Sequence, residues 1–410
     1  MGHRRGVRPR TAAMRILIAN DAFVGSGGVE SYLAALIPAL RARGHAVALL
    51  HANTRRETGG TRLEGAELSA SVADDTLAGA LNRVGSWSPD VCFSHNMRPL
   101  EVEECLLDRW PVVKMVHGYF GTCVSGQKTH AFPRPVPCTR EFGGACLALY
   151  LPRHCGRYRP VLMVRQFRRE LRQHALLNRY AAVLTASAHM AAEYIRHGVA
   201  PDRVRTAPLF PTEPPAAAPR AIPHTPTVLF AGRMTVLKGG EVLVRAIGIA
   251  SRRLGAPVQL MMAGEGPNRA ALEALARRLG VAVTFTGWVA GPARTSLFRT
   301  ASVVAVPSLW PDPFGLVGLE AGVHGVPAVA FDVGGIREWL RDDVNGVLVG
   351  EPASAEALGE ALADLLGDRE RLARYGQGAA LVAREMSIDV HIAAVERVLG
   401  DAAGAKRVAV

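Results

Sequence analysis

The 410-residue sequence lacks any hydrophobic run long enough to cross a membrane. A membrane-spanning helix needs about 20 consecutive apolar residues. The longest mildly apolar stretch, residues 314–335, is interrupted by Glu320, His324, Pro327 and Asp332. The apolar run at residues 16–19 is too short for the hydrophobic part of a signal peptide. We therefore expect a cytoplasmic protein.

The sequence is also short of acidic residues. It has 36 Asp and Glu against 48 Lys and Arg, a formal net charge of +12 and a pI of about 10.0. Such a charge favours a polyanionic neighbour, which can be a nucleic acid, an anionic lipid or a phosphorylated substrate. Because no basic module with interleaved aromatic residues occurs, we expect no nucleic-acid partner. Peripheral contact with an anionic membrane, at its inner face, stays open.

Buried strands alternate with helices along the chain, and no internal repeat is present. Apolar segments at 15–20, 46–51, 91–94, 112–116 and 182–186 predict strands, with a helix at about 30–43 after the first. This alternation predicts an α/β protein with parallel, doubly wound sheets. Residues 208–226 hold seven prolines and four alanines among nineteen residues and predict a linker between two domains. The predicted divisions are a flexible basic tail (1–13), a first domain (14–207) with a cysteine-rich insertion (121–156), the linker (208–226), a second domain (227–385) and a terminal segment (386–410) with an amphipathic helix at 388–399.

The most informative segment is Pro-Ser-Leu-Trp-Pro-Asp-Pro-Phe-Gly-Leu-Val-Gly-Leu-Glu, residues 307–320. A β-branched strand precedes it, and a helix is predicted to start at Gly315. Free N–H groups and the helix dipole make such a helix start favourable for an anion. The carboxylate of Glu320, about one turn into the helix, can accept hydrogen bonds from a sugar diol. The segment therefore indicates a site for a phosphate joined to a polyhydroxylated group.

Two upstream segments suit the same kind of ligand. In Ala-Gly-Arg-Met-Thr-Val-Leu-Lys-Gly-Gly, residues 231–240, Arg233 and Lys238 lie in a loop between a strand and a helix, where both can reach a diphosphate. In Ala-Gly-Glu-Gly-Pro, residues 263–267, Gly264 and Gly266 allow a ligand to approach the backbone closely. An ordinary surface set of ion-paired side chains is the alternative for Arg233 and Lys238.

Four spaced motifs together resemble retaining glycosyltransferases of family four, which have the GT-B fold of two Rossmann-like domains facing across a cleft. The resemblance covers roughly residues 14–400. It rests on the following motifs: Gly232-Arg233 with Lys238-Gly239; Gly264-Glu265-Gly266-Pro267; Phe285-Thr286-Gly287-Trp288-Val289; and Pro313-Phe314-Gly315 with Glu320. Any one of them alone would be weak evidence.

The resemblance implies transfer of a sugar from a nucleoside-diphosphate donor to a hydroxyl of a sugar or lipid-linked acceptor. Arg233, Lys238, His117 and Asp312 would be the catalytic residues, and Glu320 would hold the ribose. The family usually has Glu-x7-Glu where this chain has Asp312-x7-Glu320, and Asp is one methylene shorter. The other donor-binding residues would be Gly27, Gly28, Gly264, Gly266, Gly287, Trp288, Phe314, Gly315 and Leu316.

The chain has no Asp-x-Asp motif, the usual site for a diphosphate-bound divalent ion. We therefore expect catalysis without a metal, in which Arg233, Lys238 and the helix start at Gly315 meet the charge of the leaving group. A nucleotide-sugar epimerase or phosphorylase on the same fold and a non-catalytic nucleotide-binding scaffold are the rival functions.

The loop after the first strand, Gly-Ser-Gly-Gly-Val-Glu at 25–30, does not complete a dinucleotide-binding fingerprint. That fingerprint would require glycine where Glu30 stands and an acid after the second strand, where the chain has His-Ala-Asn. The loop is either a donor-facing turn, as the resemblance implies, or a simple tight turn. His117 follows the strand at 112–116, and we favour a role toward the donor sugar over a purely structural one.

Four of the six cysteines fall within thirty-three residues: Cys123, Cys138, Cys146 and Cys155. The segment is rich in loops, so a staple would stabilise it, and in a cytosolic protein a structural zinc suits four cysteines better than disulfides. No Cys-x2-Cys pair is present, and free thiols are the alternative.

An arginine-dense segment follows the cysteines. Val164, Phe167, Leu171 and Ala175 recur at helical spacing in it and predict a basic amphipathic helix. Such a helix can dock on an anionic bilayer, or it can be a solvated face over a buried apolar stripe.

Overall fold

The computed structural model describes residues 12–25, 27–53, 61–156, 159–214 and 220–408. Residues 1–11 of the predicted tail and 215–219 of the predicted linker lie outside the described residues. Two parallel sheets form the core, one on each side of the proline-rich segment.

The first unit has eleven strands and six α-helices within the described residues. Its strands are β1 (Arg15–Ala22), β2 (Val24–Gly25), β3 (Ala46–Asn53), β4 (Thr61–Arg62), β5 (Leu68–Ser71), β6 (Val91–Ser94), β7 (Val112–Met115), β8 (Thr129–His130), β9 (Val136–Pro137), β10 (Ala182–Thr185) and β11 (Val204–Thr206). Its helices are α1 (Gly28–Ala42), α2 (Val72–Trp87), α3 (Leu100–Arg109), α4 (Ala145–Tyr150), α5 (Pro160–Leu176) and α6 (Ala188–Arg196).

The second unit has six strands and seven α-helices within the described residues. The strands are β12 (Thr227–Ala231), β13 (Gln259–Ala263), β14 (Val283–Gly287), β15 (Val303–Val306), β16 (Ala328–Phe331) and β17 (Gly346–Val349). The helices are α7 (Gly240–Leu254), α8 (Arg269–Leu279), α9 (Gly291–Thr300), α10 (Leu316–Val323), α11 (Ala355–Gly367), α12 (Arg369–Glu385) and α13 (Ile388–Val408).

Both large sheets are parallel throughout, with strand orders β11-β10-β7-β6-β1-β3-β5 and β14-β13-β12-β15-β16-β17. Their central strands are buried along their whole length, which explains why they read in the sequence as nearly continuous apolar runs. These sheets confirm the predicted α/β class. The strand order of each sheet reverses at one point, between β1 and β6 in the first sheet and between β12 and β15 in the second. In folds of this kind, ligands bind beyond the carboxyl ends of the strands at the reversal point.

The last helix returns to the first unit. The imidazole of His391 on α13 lies 2.8 Å from the Tyr32 hydroxyl on α1, and Glu396 Oε1 lies 2.9 Å from His45 Nε2. The helix runs nine residues past the predicted end at Leu399. It continues because each of the two glycines in this extension, Gly400 and Gly404, costs a helix only about 1 kcal/mol, while Ala402 and Ala403 between them are buried.

Within the described ranges, no helix combines the length and the apolar character that crossing a bilayer would require.

Candidate functional site

Three glycines stand side by side at the carboxyl ends of β12, β13 and β14. Gly232 N–H donates to Ala263 O at 2.9 Å, and Gly264 N–H donates to Gly287 O at 2.7 Å. Gly264 has φ +123°, and a Cβ there would lie 2.2 Å from the carbonyl oxygen of Gly232. Only glycine fits this conformation and spacing. The result is an edge of bare backbone that a ligand can approach closely.

Arg233 follows this edge, in the loop between β12 and α7. The loop is tied down because Met234 N–H donates to Glu265 O at 2.9 Å, and Gly266 packs against the Met234 backbone. Arg233 is exposed, and no acid in the described part of the chain pairs with it. It is therefore a cation on a fixed loop that is available to a ligand phosphate.

Lys238, at the other end of the same loop, is paired with Asp312. Its Nζ lies 2.5 Å from Asp312 Oδ2 and 5.5 Å from the centre of the Trp310 ring. Burial by itself would raise the pKa of the Asp312 carboxyl, but the Lys238 cation and the hydrogen bonds from Lys238 and Ser308 hold it below its usual value. These residues meet at the strand-order reversal between β12 and β15.

The Asp312 carboxylate also contacts the backbone immediately before helix α10. Its Oδ1 accepts a hydrogen bond from Gly315 N–H at 3.0 Å, and Gly315 has φ +71°, a left-handed value that glycine adopts most readily. The positive groups expected to hold a diphosphate, Lys238 and the start of α10, thus contact an anion of the protein itself. Leu316 is the first residue of α10, and Phe314 is buried beneath it, with its carbonyl accepting from Trp339 Nε1 at 2.6 Å.

Glu320 lies one turn into α10, where it pairs with Arg294 of α9. Burial raises the pKa of the Glu320 carboxyl above its usual value, and the Arg294 cation opposes that rise. Glu213, from the segment between the two sheets, lies alongside, with Oε2 3.3 Å from His324 Nε2. Arg294 was not among the predicted site residues. It stands in a helix without any motif, so the sequence carried no signal for it.

The first unit contributes a group of rings, of which Tyr32 and His95 are buried and His117 is partly buried. His117 Nε2 lies 3.1 Å from His95 Nδ1, and both rings lie 5.7 Å from the Tyr32 ring. Burial, followed by the Lys114 cation, lowers the pKa of His117 to about 3, so its imidazole is neutral near pH 7. Gly27 and Gly28 begin α1 at the reversal point between β1 and β6.

The two units touch at the Pro-Asp-Pro-Phe-Gly segment. The Tyr119 hydroxyl, two residues after His117, donates to Pro311 O at 2.7 Å. A second contact joins Ala188 N–H, at the start of α6, to Glu338 Oε1 at 2.5 Å. The His117 loop and the Asp312 loop therefore face each other across the junction. Tyr119 was missed from the sequence, although its position close to His117 was a usable signal.

Trp288 follows Gly287 at the end of β14, and 66% of its surface is exposed. An exposed tryptophan beside a bare backbone edge offers a ring face on which a nucleobase can stack. Trp310 Nε1 is buried and has no hydrogen-bond partner among the described atoms. It is a further donor close to Lys238 that the sequence analysis did not single out.

The four clustered cysteines are free thiols that share one neighbourhood. Burial, followed by the nearby Cys123, Cys138 and Cys146 thiols, raises the pKa of Cys155 to about 12. Among the described residues, however, no three Cys, His, Asp or Glu side chains are grouped so that they could hold a metal ion. The structural zinc stays a prediction, without support from this geometry.

Two family models match the chain, one over each unit. Residues 26–210 match the family model described as Glycosyltransferase Family 4, and residues 225–368 match the model described as Glycosyl transferases group 1.

Two relatives are similar over part of their length. A D-inositol 3-phosphate glycosyltransferase of Nocardia farcinica is 39% identical over 163 residues, which is 38% of this chain and 36% of the relative. A GDP-mannose-dependent alpha-(1-6)-phosphatidylinositol monomannoside mannosyltransferase of Mycobacterium tuberculosis is 32% identical over 207 residues, 48% of this chain and 52% of the relative. The matches thus span between about a third and a half of these relatives.

Among solved structures, Anabaena HepE in complex with UDP and glucose superposes with a TM-score of 0.66 at 19% identity, covering 94% of this chain and 99% of that one. This likeness concerns the fold, which is GT-B. With both of its sheets, its motif order and both family models in agreement, the chain belongs to the family-four, group 1 glycosyltransferases.

Proposed function

We propose that the protein is a glycosyltransferase that moves a sugar from a nucleoside-diphosphate sugar to an acceptor hydroxyl, in the synthesis of a polysaccharide, glycolipid or other glycoconjugate. One observation carries the proposal. At the reversal point between β12 and β15, two cations, Arg233 and Lys238, and the start of α10 lie together, with the Glu320 carboxylate one turn further on. This combination suits a diphosphate joined to a ribose.

The donor is proposed to lie along the bare backbone edge. Its diphosphate contacts Arg233, Lys238 and the N–H groups of Gly315 and Leu316. Its ribose hydroxyls bind Glu320, and its base stacks against Trp288. Because Glu320 is held by Arg294 and Lys238 by Asp312, each ligand group replaces or joins an existing ionic contact.

Catalysis is proposed to need neither a metal nor a protein nucleophile. As the bond between sugar and phosphate breaks, negative charge grows on the leaving diphosphate, and fixed positive groups stabilise that charge. Retention of the anomeric configuration follows if the acceptor attacks the face from which the diphosphate leaves, which lets a phosphate oxygen take the acceptor proton. A neutral His117 contacts the sugar as a hydrogen-bonding group and does not act as a charged acid.

The acceptor is proposed to be a sugar or a lipid-linked hydroxyl presented from the first unit. One relative is a mannosyltransferase of phosphatidylinositol monomannoside, whose acceptor carries a lipid. A lipid-linked acceptor would place the protein at the cytoplasmic face of a membrane.

The test is the release of nucleoside diphosphate from uridine, guanosine and adenosine diphosphate sugars, with and without acceptor hydroxyls. Arg233→Ala should lower kcat/KM at least about a hundredfold, the effect of losing one preorganised donor. Arg245→Ala, which removes an exposed arginine from α7, is the matched control and should leave the rate unchanged. Release that does not depend on an acceptor would favour an epimerase or phosphorylase. Absence of binding to every donor would favour a non-catalytic scaffold.

Two further measurements test the finer claims. NMR of the product should show the anomeric configuration of the donor, and an inverted product would contradict retention. Addition of EDTA should leave the rate unchanged, and a loss that Mg²⁺ restores would contradict catalysis without a metal.

A further inference from the structure

Helix α5 buries polar side chains and exposes apolar ones. Its buried residues are Glu170, Gln173 and Leu176. Val161, Val164 and Leu171, by contrast, are 81%, 39% and 51% exposed. Of the predicted stripe of Val164, Phe167, Leu171 and Ala175, only Phe167 is partly buried, against the Phe142 ring, and the other three residues are exposed. The alternative of a buried apolar stripe is therefore wrong for those three residues. An apolar stripe that the core does not use is available to a partner.

Internal hydrogen bonds hold the helix in this orientation. Gly121 N–H donates to Glu170 Oε2 at 2.6 Å, and Gln173 Nε2 donates to the Tyr180 hydroxyl at 3.0 Å. Rolling the helix to bury the valines would break these contacts and leave the Glu170 carboxylate with only the adjacent Arg169 of its own helix among these partners. The exposed stripe is thus a fixed feature of the fold.

Arginines alternate with the exposed apolar side chains. Val161, Val164, Arg165 and Arg168 line one groove of about 430 Å³. Neither of these two arginines pairs with an acid in the described part of the chain. Arg172, further along the same helix, differs because its guanidinium lies 3.0 Å from both Glu101 and Glu104.

We propose that this α5 face, defined as Val161, Val164, Arg165, Arg168 and Leu171, docks on an anionic lipid bilayer. A bilayer interface offers both a negative surface for the arginines and an apolar layer for the side chains between them. A purely solvated face would need no exposed apolar side chains, and an acidic protein surface would favour arginines without them. The overall charge of +12 adds attraction over a longer range.

The α5 face is connected to the candidate site. Gly121 lies four residues after His117, and two side chains of α5 contact its backbone. Its N–H donates to the Glu170 carboxylate, and its carbonyl oxygen lies 2.9 Å from His174 Nδ1. Docking would therefore hold the acceptor side of the cleft near the bilayer. This inference rests on the proposed function only for its purpose, a lipid-linked acceptor, because the surface itself is independent of catalysis.

The experiment is co-sedimentation of the full chain with vesicles, either of phosphatidylcholine alone or of an equal mixture with phosphatidylglycerol. The wild type should bind the vesicles that contain phosphatidylglycerol and should not bind the vesicles of phosphatidylcholine. Each arginine near such a surface contributes about fivefold in affinity, so Arg165→Gln/Arg168→Gln should bind about thirtyfold more weakly. Arg277→Gln/Arg278→Gln removes the same charge from α8 and is the matched control, which should bind almost like the wild type.

Salt separates the apolar contribution from the ionic one. Raising the ionic strength from about 0.1 M to about 1 M shortens the screening length from about 10 Å to about 3 Å. Wild-type binding should weaken but persist, whereas Val161→Ser/Leu171→Ser should lose it. Both residues are exposed, so these variants should keep the circular dichroism of the wild type and its affinity for nucleoside diphosphate.

Three outcomes would overturn the proposal: no binding of the wild type to anionic vesicles, equal loss in the Arg277/Arg278 control, or binding to polyglutamate without binding to vesicles. The last would assign the face to an acidic protein. If the wild type does not bind nucleoside diphosphate, the proposed function is contradicted, whereas the proposal of membrane docking is unaffected.

Discussion

Replacement of Lys238 by methionine separates the two roles that the structure gives to this lysine. Its Nζ lies 2.5 Å from a carboxylate, that of Asp312, which is only 5% exposed. Removing one partner from a buried ion pair costs about 3–5 kcal/mol. Here the lysine side chain is 32% exposed, and Asp312 keeps its hydrogen bonds from Ser308 and Gly315. We therefore expect a smaller loss in the free energy of unfolding, about 1–3 kcal/mol.

The same substitution should lower activity for a different reason. One preorganised donor on a developing oxyanion contributes about 3–4 kcal/mol to transition-state stabilisation, so kcat/KM should fall about 10²–10³-fold. Because the pKa of Asp312 lies below its usual 3.8, the ion pair contributes its full stability above that pH and loses it only as the pH falls through the lower value. Assays near pH 7 thus compare a fully formed pair with a broken one.

Combining Lys238→Met with Asp312→Asn distinguishes the two roles. The neutral amide no longer needs a cation, so the double variant should regain most of the lost unfolding free energy, measured in urea. It should not regain activity, measured as nucleoside-diphosphate release, because the diphosphate still lacks Lys238. The control is Arg245→Met on α7. Recovery of near-normal activity in the double variant would show that Lys238 serves only to neutralise Asp312, and the reasoning would be refuted.

The remaining predictions concern the ribose site, the backbone edge and the return helix. Glu320→Gln should weaken donor and free nucleoside diphosphate alike by about tenfold or more, the contribution of a charged hydrogen bond, and an unchanged dissociation constant would remove the ribose role. Because burial raises the pKa of Glu320 above its usual 4.5, wild-type affinity should fall as the pH is lowered toward that raised pKa, more steeply than the affinity of Glu320→Gln. Arg294→Met should shift that fall to higher pH, because the Arg294 cation opposes the rise. Gly264→Ala should cost at least about 3 kcal/mol, whereas Gly255→Ala, which also has positive φ but open space around it, should cost about 1 kcal/mol; equal urea midpoints would contradict the steric argument. Burial lowers the pKa of His391 from 6.5 to about 4, so the folded state binds fewer protons there than the unfolded state. The free energy of unfolding should therefore decrease as the pH falls from 6.5 to about 4, by up to about 1.4 kcal/mol per pH unit. His391→Gln should flatten that slope in urea unfolding at pH 7 and pH 5, and an unchanged slope would contradict the burial argument.

Much of the fold could be read from the sequence because its signals are local. A strand buried on both faces is mostly apolar along its length, as at residues 303–306 and 328–331, and this pattern is visible without knowledge of any neighbouring segment. Glycines at strand ends are equally local, because a positive φ is a property of one residue. These patterns predicted the α/β class with two parallel sheets, and the family resemblance they carry is confirmed.

Helix α5 shows where local patterns fail. Its apolar residues recur at helical spacing, which predicts a stripe but not the direction in which the stripe points. The direction was decided by Glu170 and Gln173, whose partners Gly121 and Tyr180 belong to other segments of the first unit. The periodicity of apolar residues describes a single helix by itself. Which face of that helix is buried depends on the other segments that pack against it.

The candidate site divides in the same way. The sequence by itself determined that Arg233, Lys238 and Glu320 stand after particular strands and near particular helix starts. Only the tertiary structure decided that Lys238 meets Asp312, 74 residues away, and that Glu320 meets Arg294, 26 residues away. The physical reason is that an ion pair depends on distance in space, which the alignment of parallel strands sets, whereas a sequence records only the order of the residues along the chain.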